Sequence, residues 1–343
     1  MLRKLATKLR YLYQKHKMRC AIKRKLKNAK ISNKGLDQKF INEVVDYWEK
    51  NFSIEPDINT FKYLTNLTGN FDVRYISEDI YVNYILPKTN PYNRCNGLND
   101  KNVFPLLFPD RTPETFFANV NGILLDSEYN IISESTALLL LTNEEKVVIK
   151  PTTNTSQGKN VLCVKKSDIL FNMKLMKKDY TVQKVIEQHD LLSQLNSSSV
   201  NVIRLTTYLN KKGVKILDSI VRIGSAGNFT DHLNLAVGID NNGFLKDFGV
   251  TVEGEKVYFL PDGQEIKGIK IPAYKEMCSI AIAMHCRIAQ ALIIGWDFTV
   301  DKEGNPVVIE ANLDFPGILR SQECNGPLFG EETDEILKEI LFN

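Results

Sequence analysis

Apolar positions in the first fifty residues repeat with a helical period. Leu2, Leu5, Leu9, Leu12 and Tyr13 predict a helix over residues 2–30, and Phe40, Val44, Tyr47 and Trp48 predict a second over 40–48. From 50 to 120 the pattern fades into short aromatic segments punctuated by Pro87, Pro91, Pro105, Pro109 and Pro113. It then becomes regular. Residues 119–125 and 130–133 read as a hairpin around Asp126-Ser127-Glu128, 134–141 as a helix, and 146–150 and 161–165 as strands. A strand over 180–186 leads into a helix ending at Leu195. Strands 201–209 and 214–223 turn at Asn210-Lys211-Lys212-Gly213, and a further hairpin turns at Asn241-Asn242-Gly243. Residues 274–294 read as one long helix and 296–312 as a closing hairpin. Hairpins outnumber β-α-β crossovers, which predicts an α+β fold with mainly antiparallel sheets and helices packed on one face. The domain reading is a helical extension (1–50), an N-terminal α/β region (51–145), a core domain (146–330, divided between 195 and 196) and a C-terminal helix (331–343).

The closing hairpin breaks its own apolar pattern. Gly295–Val300 and Val307–Gly317 flank the polar connection Asp301–Pro306, and pairing Val300 with Val307 sets Phe298 beside Ile309 and Asp297 beside Glu310. Side chains alternate along a strand, so Asp297, Glu310 and Asn312 share one face. Opposed carboxylates on a half-buried sheet repel, so either one takes up a proton or a cation lies between them. Two carboxylates and an amide oxygen suit Mg²⁺, which fills its shell with phosphate oxygens and water. The alternative is a solvated hairpin, against which the apolar neighbours on both strands count.

A metal bound through phosphates needs a phosphate site. The strand Lys146–Lys150 ends on a lysine and is followed by a small, polar loop, Thr152–Asn160, around Gly158. Such a loop can fold over a triphosphate with its backbone N–H groups while Lys150 supplies a point charge; a plain hairpin tip is the alternative. It is not a P-loop, because Thr153 stands where the first glycine is needed and Asn160 replaces the Ser/Thr. The strand from Tyr180 leaves its sheet into a helix, so its edge can offer backbone groups to an adenine and an acid just beyond can bind ribose hydroxyls. Pairing across the 210–213 turn sets Arg204 near Ile220 and Arg222 near Val202, both guanidinium groups on one face. With Asn201 they form an anion pocket, or else two surface arginines. His285 lies mid-helix between Ile282 and Ile288 and reads as structural. The chain offers no convincing Ser/His/Asp or Cys/His set.

Composition narrows the class. A chain of 343 residues with 43% apolar and 25% charged positions reads as globular, with room for two domains. Its apolar stretch 280–294 is interrupted by His285, Arg287 and Gln290, so no bilayer span is expected, and the N-terminus lacks a signal-peptide core, which argues against export. Six scattered cysteines without a C-x-x-C pair read as reduced cytosolic thiols. The net charge of +3 hides an asymmetry. Residues 1–30 hold 12 of the 44 Lys/Arg and no acid, leaving 32 basic against 41 acidic residues, a net of −9, in the rest. The basic arm suits an anionic membrane surface, a helix docked on the acidic body, or a disordered tail. The acidic body disfavours a broad nucleic-acid footprint.

Taken together, Lys150, the small-residue loop, the 183–186 hinge and the order Asp297…Glu310-x-Asn312 resemble the ATP-grasp superfamily. More narrowly, Ser199-Val-Asn201-Val-Ile-Arg204, Val221-Arg222-Ile-Gly224 and Gly295-Trp-Asp297 resemble the sugar-transfer-associated ATP-grasp family, which occurs with capsule and surface-polysaccharide genes. The resemblance covers roughly residues 95–320. It implies an ATP-grasp fold, two α+β subdomains clasping ATP, with ATP and Mg²⁺ as cofactors. It implies Lys101 at the β-phosphate, Lys150 at the α- and β-phosphates, and Ser156, Gln157 and Gly158 as the phosphate cover. Lys184 and Ile186 would hold adenine through their backbones, with Gln183 accepting from the amino group where relatives carry an acid. Asp190 would bind the ribose, with Glu187 close enough to compete. Asp297, Glu310 and Asn312 would be metal ligands. Arg222, with Arg204 and Lys150, would be catalytic, and Asn201, Arg204, Arg222, Asp231 and His232 would bind the acceptor; His232 stands where relatives tend to carry Asn. The implied activity is ATP-dependent carboxylate–amine ligation through an acyl phosphate, joining an amine to a sugar carboxylate in the cytoplasm or at the inner membrane face. The alternatives are a kinase acting on a hydroxyl, and a nucleic-acid-binding protein led by the basic arm.

Overall fold

The structure, a computed structural model, describes residues 2–28, 35–153, 160–176, 179–224 and 235–342, with side chains from Leu12 onward except at 14 and 28. Its strands are β1 (Thr115–Val120), β2 (Ile123–Asp126), β3 (Lys146–Pro151), β4 (Leu162–Lys165), β5 (Tyr180–Lys184), β6 (Val202–Asn210), β7 (Gly213–Ile223), β8 (Leu235–Ile239), β9 (Leu245–Thr251), β10 (Lys256–Val257), β11 (Ile293–Val300) and β12 (Pro306–Asn312). They form a five-stranded sheet, β2-β1-β5-β3-β4, and a seven-stranded sheet, β10-β9-β8-β7-β6-β11-β12. Every strand pairing among the described residues is antiparallel. The small sheet takes in residues 115–126 as well as 146–184.

The small sheet follows the one-sided expectation. Phe117, Val147, Ile149 and Val182 pack on Ala137, Ile169 and Met173 of the helices Glu134–Leu140 and Ile169–Leu175. Alternation leaves Val148, Lys150, Thr181 and Gln183, paired across β3 and β5, on the opposite face. The large sheet departs from the expectation, because helices cover both faces. Leu205, Val221, Trp296 and Phe298 meet Met277, Ala281 and Met284 of the helix Tyr274–Arg287. On the other side Tyr208, Ile220, Ala236 and Val250 join Trp48, Phe61, Leu64, Leu319 and Leu337. Every position of β11 is buried, and a strand apolar on both faces needs cover on both.

Three local readings are corrected. The helix from Tyr274 stops at Arg287 and Ile293 already belongs to β11; the apolar run continues across the tight turn between them, and periodicity cannot separate a helix tail from a buried strand. Residues 119–125, expected as one strand, are broken by a turn at Asn121-Gly122, where φ is 54° and 82°, while the turn expected around residues 126–128 is present with a short return: Asp126 N donates to Asn130 O, Ile132 N to Leu124 O, and Leu125 bridges to Ile131. The faint stretch after residue 50 is largely helical, with Ile58–Thr68 and a run from Glu78 to Thr89 that includes a π-helical segment.

The basic arm is a helix, Leu2–Asn28, whose inner side is docked. Ile22 is buried, and Lys15 pairs with Glu55 at 3.0 Å, Arg19 with Asp79 at 2.9 Å and Lys25 with Glu323 at 2.7 Å. Among the described residues no helix is long and apolar enough to cross a membrane.

Candidate functional site

Asp297 and Glu310 do face each other, but by a different path from the simple register. Val300 pairs with Pro306, Thr299 with Val307 and Phe298 with Val308, so Ile309 is an extra residue in a bulge that brings Glu310 opposite Asp297. On its other side Asp297 pairs with Arg204 of β6, and β7 sets Arg222 beside Val202. Asp297 is 1% exposed. Arg204 grips its carboxylate with Nε and with Nη2 at 2.9 Å, Arg222 Nη2 donates at 3.1 Å, and Asn312 Nδ2 at 3.3 Å. Burial works against the charge, yet the two guanidinium groups outweigh it and hold the carboxyl down to about 2. Two arginines on one sheet face are therefore where the strand pairing predicts, and both turn to this acid.

The facing partners come from the small sheet and from residues 99–101. Lys101 Nζ lies 3.1 Å from Glu310, and its backbone N–H donates to Thr152 O, tying that segment to the end of β3. Lys150 is 6% exposed; burial first, and the charge of Lys101 second, push its ammonium down to about 7 against the pull of Glu310. Between the sheets lies a cleft of about 150 Å³ whose walls include Val148, Lys150, Gln183 and Ile186 on one side and Val202, Arg222, Asp297 and Glu310 on the other. β5 leads out of the small sheet toward the large one, since Gln188 bridges to Asp301 and His189 N donates to Val300 O.

Gln183 shows how the cleft fixes an amide. Its Nε2 donates to Thr115 Oγ1 at 2.8 Å, and Thr115 Oγ1 donates to Pro113 O at 3.4 Å. A carbonyl only accepts, so the hydroxyl spends its proton there and receives the amide N–H, which turns the Gln183 oxygen toward the cleft. Thr115 escaped the sequence reading because nothing local marks it; the cross-strand pair Thr115–Gln183 exists only once β1 joins β5. Asn90 escaped likewise. Its buried amide bonds Ile293 O, Ile293 N and Leu313 O, fixing the outer end of the acidic hairpin.

Other singled-out residues sit differently. Asn201 is fully buried; its amide donates to Gln188 Oε1, Leu192 O and Asn196 O, so it braces the segment after β5 and does not line the cleft. The Lys184 backbone N–H is occupied by Glu114 O, and its side chain lies beside Glu114 at the rim. Glu187 is exposed and 3.6 Å from Lys302, and Asp190 is exposed in the first turn of the helix Asp190–Leu195. Ser156, Gln157, Gly158, Asp231 and His232 lie outside the described residues. His285 is buried between Thr207 Oγ1 and Ala291 O, and burial pushes it down to about 4, which makes it a neutral packing group.

The donor set limits what could bind. Among the described residues no three His, Cys, Asp or Glu side chains gather into a metal cage. Asp297, Glu310 and Asn312 offer two carboxylates and an amide, a set that fits Mg²⁺ completed by phosphate oxygens.

Residues 169–336 match the profile of the family described as sugar-transfer associated ATP-grasp. The match spans just under half of the chain. The chain matches no curated protein. Solved structures similar to it include an L-amino acid ligase from Bacillus licheniformis (13% identity, TM-score 0.44, covering 73% of this chain and 49% of that one). They also include a D-alanine–D-alanine ligase from Bacillus anthracis complexed with ATP (17%, 0.41, 71% and 64%) and the ATP-grasp ligase PsnB (12%, 0.43, 72% and 62%). The chain thus spans between about half and two thirds of the length of these proteins.

Proposed function

We propose that the chain is an ATP-dependent carboxylate–amine ligase of ATP-grasp type working through an acyl phosphate, and that it joins an amino acid or another amine to a sugar carboxylate of a surface glycan. The observation that carries this reading is the Asp297–Glu310 pair on the floor of a cleft whose facing sheet presents Lys150. Asp297, Glu310 and Asn312 would hold Mg²⁺, which when bound neutralises phosphate oxygens and orients them for transfer. Lys150 and Lys101 bind the nucleotide phosphates, and Gln183 with the backbone near Ile186 holds the base. Arg222 and Arg204 present guanidinium groups to the charge that develops on the transferred phosphoryl group. The apolar walls Val148, Ile186 and Val202 keep water from the activated acid. The acceptor carboxylate attacks the terminal phosphorus of ATP and ADP leaves; the amine then attacks the acyl carbon and inorganic phosphate leaves. No side-chain nucleophile is required, in keeping with a sequence that offers no convincing Ser/His/Asp or Cys/His set.

The test is ADP release and product mass with ATP, Mg²⁺ and a panel of uronic acids and amines. The expected result is ADP formation that needs both partners and an amide with the mass of acid plus amine less one water. ADP formed with a hydroxyl acceptor alone, accompanied by a phosphorylated product, would replace the ligase by a kinase.

A further inference from the structure

The helix Leu2–Asn28 has two unlike sides. Its inner side, Lys15, Met18, Arg19, Ile22, Lys25 and Leu26, is buried or half-buried, and its cations face Glu55, Asp79 and Glu323. The outer side carries Lys17, Lys23, Arg24 and Lys27, all exposed, with Leu12 49% and Tyr13 67% exposed toward the N-terminal end. At 100° per residue these six fall within one arc of the helix, opposite Ile22. The sequence before them continues with Leu2, Leu5 and Leu9 at three- and four-residue spacing, and residues 1–30 contain no Asp or Glu.

We infer that this outer face is a docking surface for an anionic lipid bilayer. Charge complementarity supplies the first argument. The inner cations already balance part of an acidic body, whereas the outer four point away from it. The second argument is apolar: an exposed Leu12 and Tyr13 at the end of a basic face suit the headgroup boundary, where an aromatic ring and an alkyl chain can enter while the ammonium groups stay among phosphates. The third is distance. A helix about 10 Å across holds the acidic body back by about one Debye length at physiological salt, so a flat surface touching the helix feels little of the net −9 behind it. A flexible polyanion that wraps the protein would meet that acidic surface directly. The inference does not depend on the ligase reading.

Flotation of the full chain with vesicles separates the outcomes. Phosphatidylcholine vesicles containing about a third phosphatidylglycerol should carry the protein at low salt and release it at high salt, and pure phosphatidylcholine vesicles should not carry it. Replacing the outer cations one at a time by Gln should weaken binding roughly fivefold per charge, and Tyr13→Ser should weaken it further with the salt dependence unchanged. Each variant should unfold at the same temperature as the parent, because the inner face is untouched. Failure to float with anionic vesicles at low salt overturns the inference. So does equal flotation of the variant lacking all four outer charges, or a preference for RNA that displaces the protein from vesicles.

Discussion

The two sheets that border the cleft handle charge in opposite ways. On the large sheet Asp297 is buried but gripped by Arg204 and Arg222, so its carboxylate stays ionised far below neutral pH. On the small sheet Lys150 is buried with Glu310 as a distant attraction and Lys101 as a repulsion, and its ammonium is brought down to about 7. The large sheet therefore carries a charge set that is balanced within the protein, and the small sheet carries a cation that an incoming anion would stabilise. The first arrangement fixes geometry, and the second leaves a buried cation without a close carboxylate.

The widest contrast should appear within the large sheet, between its two facing carboxylates, when the charge of each is removed. Asp297→Ala leaves the buried Arg204 and the partly buried Arg222 without their shared carboxylate and should lower unfolding free energy by about 3–5 kcal/mol. Glu310→Gln, at a partly exposed site 3.1 Å from Lys101, should change it by less than about 1 kcal/mol. Both should abolish Mg²⁺-dependent ATP turnover. Urea denaturation beside a turnover assay checks the contrast; equal loss of stability would mean that the arginine pair is not what holds Asp297, and wild-type turnover in Glu310→Gln would remove the metal assignment.

That hairpin also marks how far the sequence could be read. The Asp297–Glu310 pairing followed from alternation and from a polar, glycine- and proline-containing connection, both local properties. The bulge at Ile309 did not, because the extra residue is imposed by the side chains that must face the core. Arg204 and Arg222 were legible through the register of one hairpin, β6–β7, but their convergence on Asp297 needed β11 to lie beside β6, a pairing between residues 93 apart. Asn201 shows the complementary limit: at the foot of a strand it reads as a binding group, and only the fold of residues 188–196 around it shows its amide nitrogen bonded to Gln188, Leu192 and Asn196. Thr115 and Asn90 carry no local signal at all. Long-range pairing decides their roles, and the periodicity of a single chain does not record it.

Lys150 offers a sharper comparison through pH. Its folded value lies below the unfolded one, so between about 7 and the ordinary lysine range the unfolded chain binds more protons than the folded chain. Stability should accordingly rise with pH across that window, and Lys150→Met should flatten the rise. Phosphates arriving beside the ammonium favour its charged form, so Mg-ATP binding at pH 8 should take up protons, seen as a buffer-dependent heat in calorimetry. Lys150→Met should weaken ATP binding roughly ten- to hundredfold, the worth of a charge-assisted hydrogen bond, while Lys211→Ala in the distant β6–β7 turn should leave it unchanged. Equal affinities in the two variants would move the phosphates elsewhere.

The smallest expected effect tests whether the small sheet also reads the base. Thr115 hands its proton to Pro113 O and accepts the Gln183 N–H, so the amide presents oxygen to the cleft and matches the amino group of adenine; guanine would place an oxygen there instead. Thr115→Val keeps the side-chain outline and removes the hydroxyl. The amide then has no reason to keep its orientation, and flipping it would turn Nε2 toward a guanine oxygen. ATP should bind slightly more weakly, GTP more tightly, and the ratio between them should fall about tenfold, one hydrogen bond's worth of discrimination. Competition between the two nucleotides for the Mg²⁺-loaded protein measures it without any turnover. A wild-type protein that binds neither nucleotide would end the ATP reading itself. A wild type that strongly prefers ATP, with Thr115→Val showing the same preference, would leave the ATP site intact and remove Thr115 from the recognition of the base.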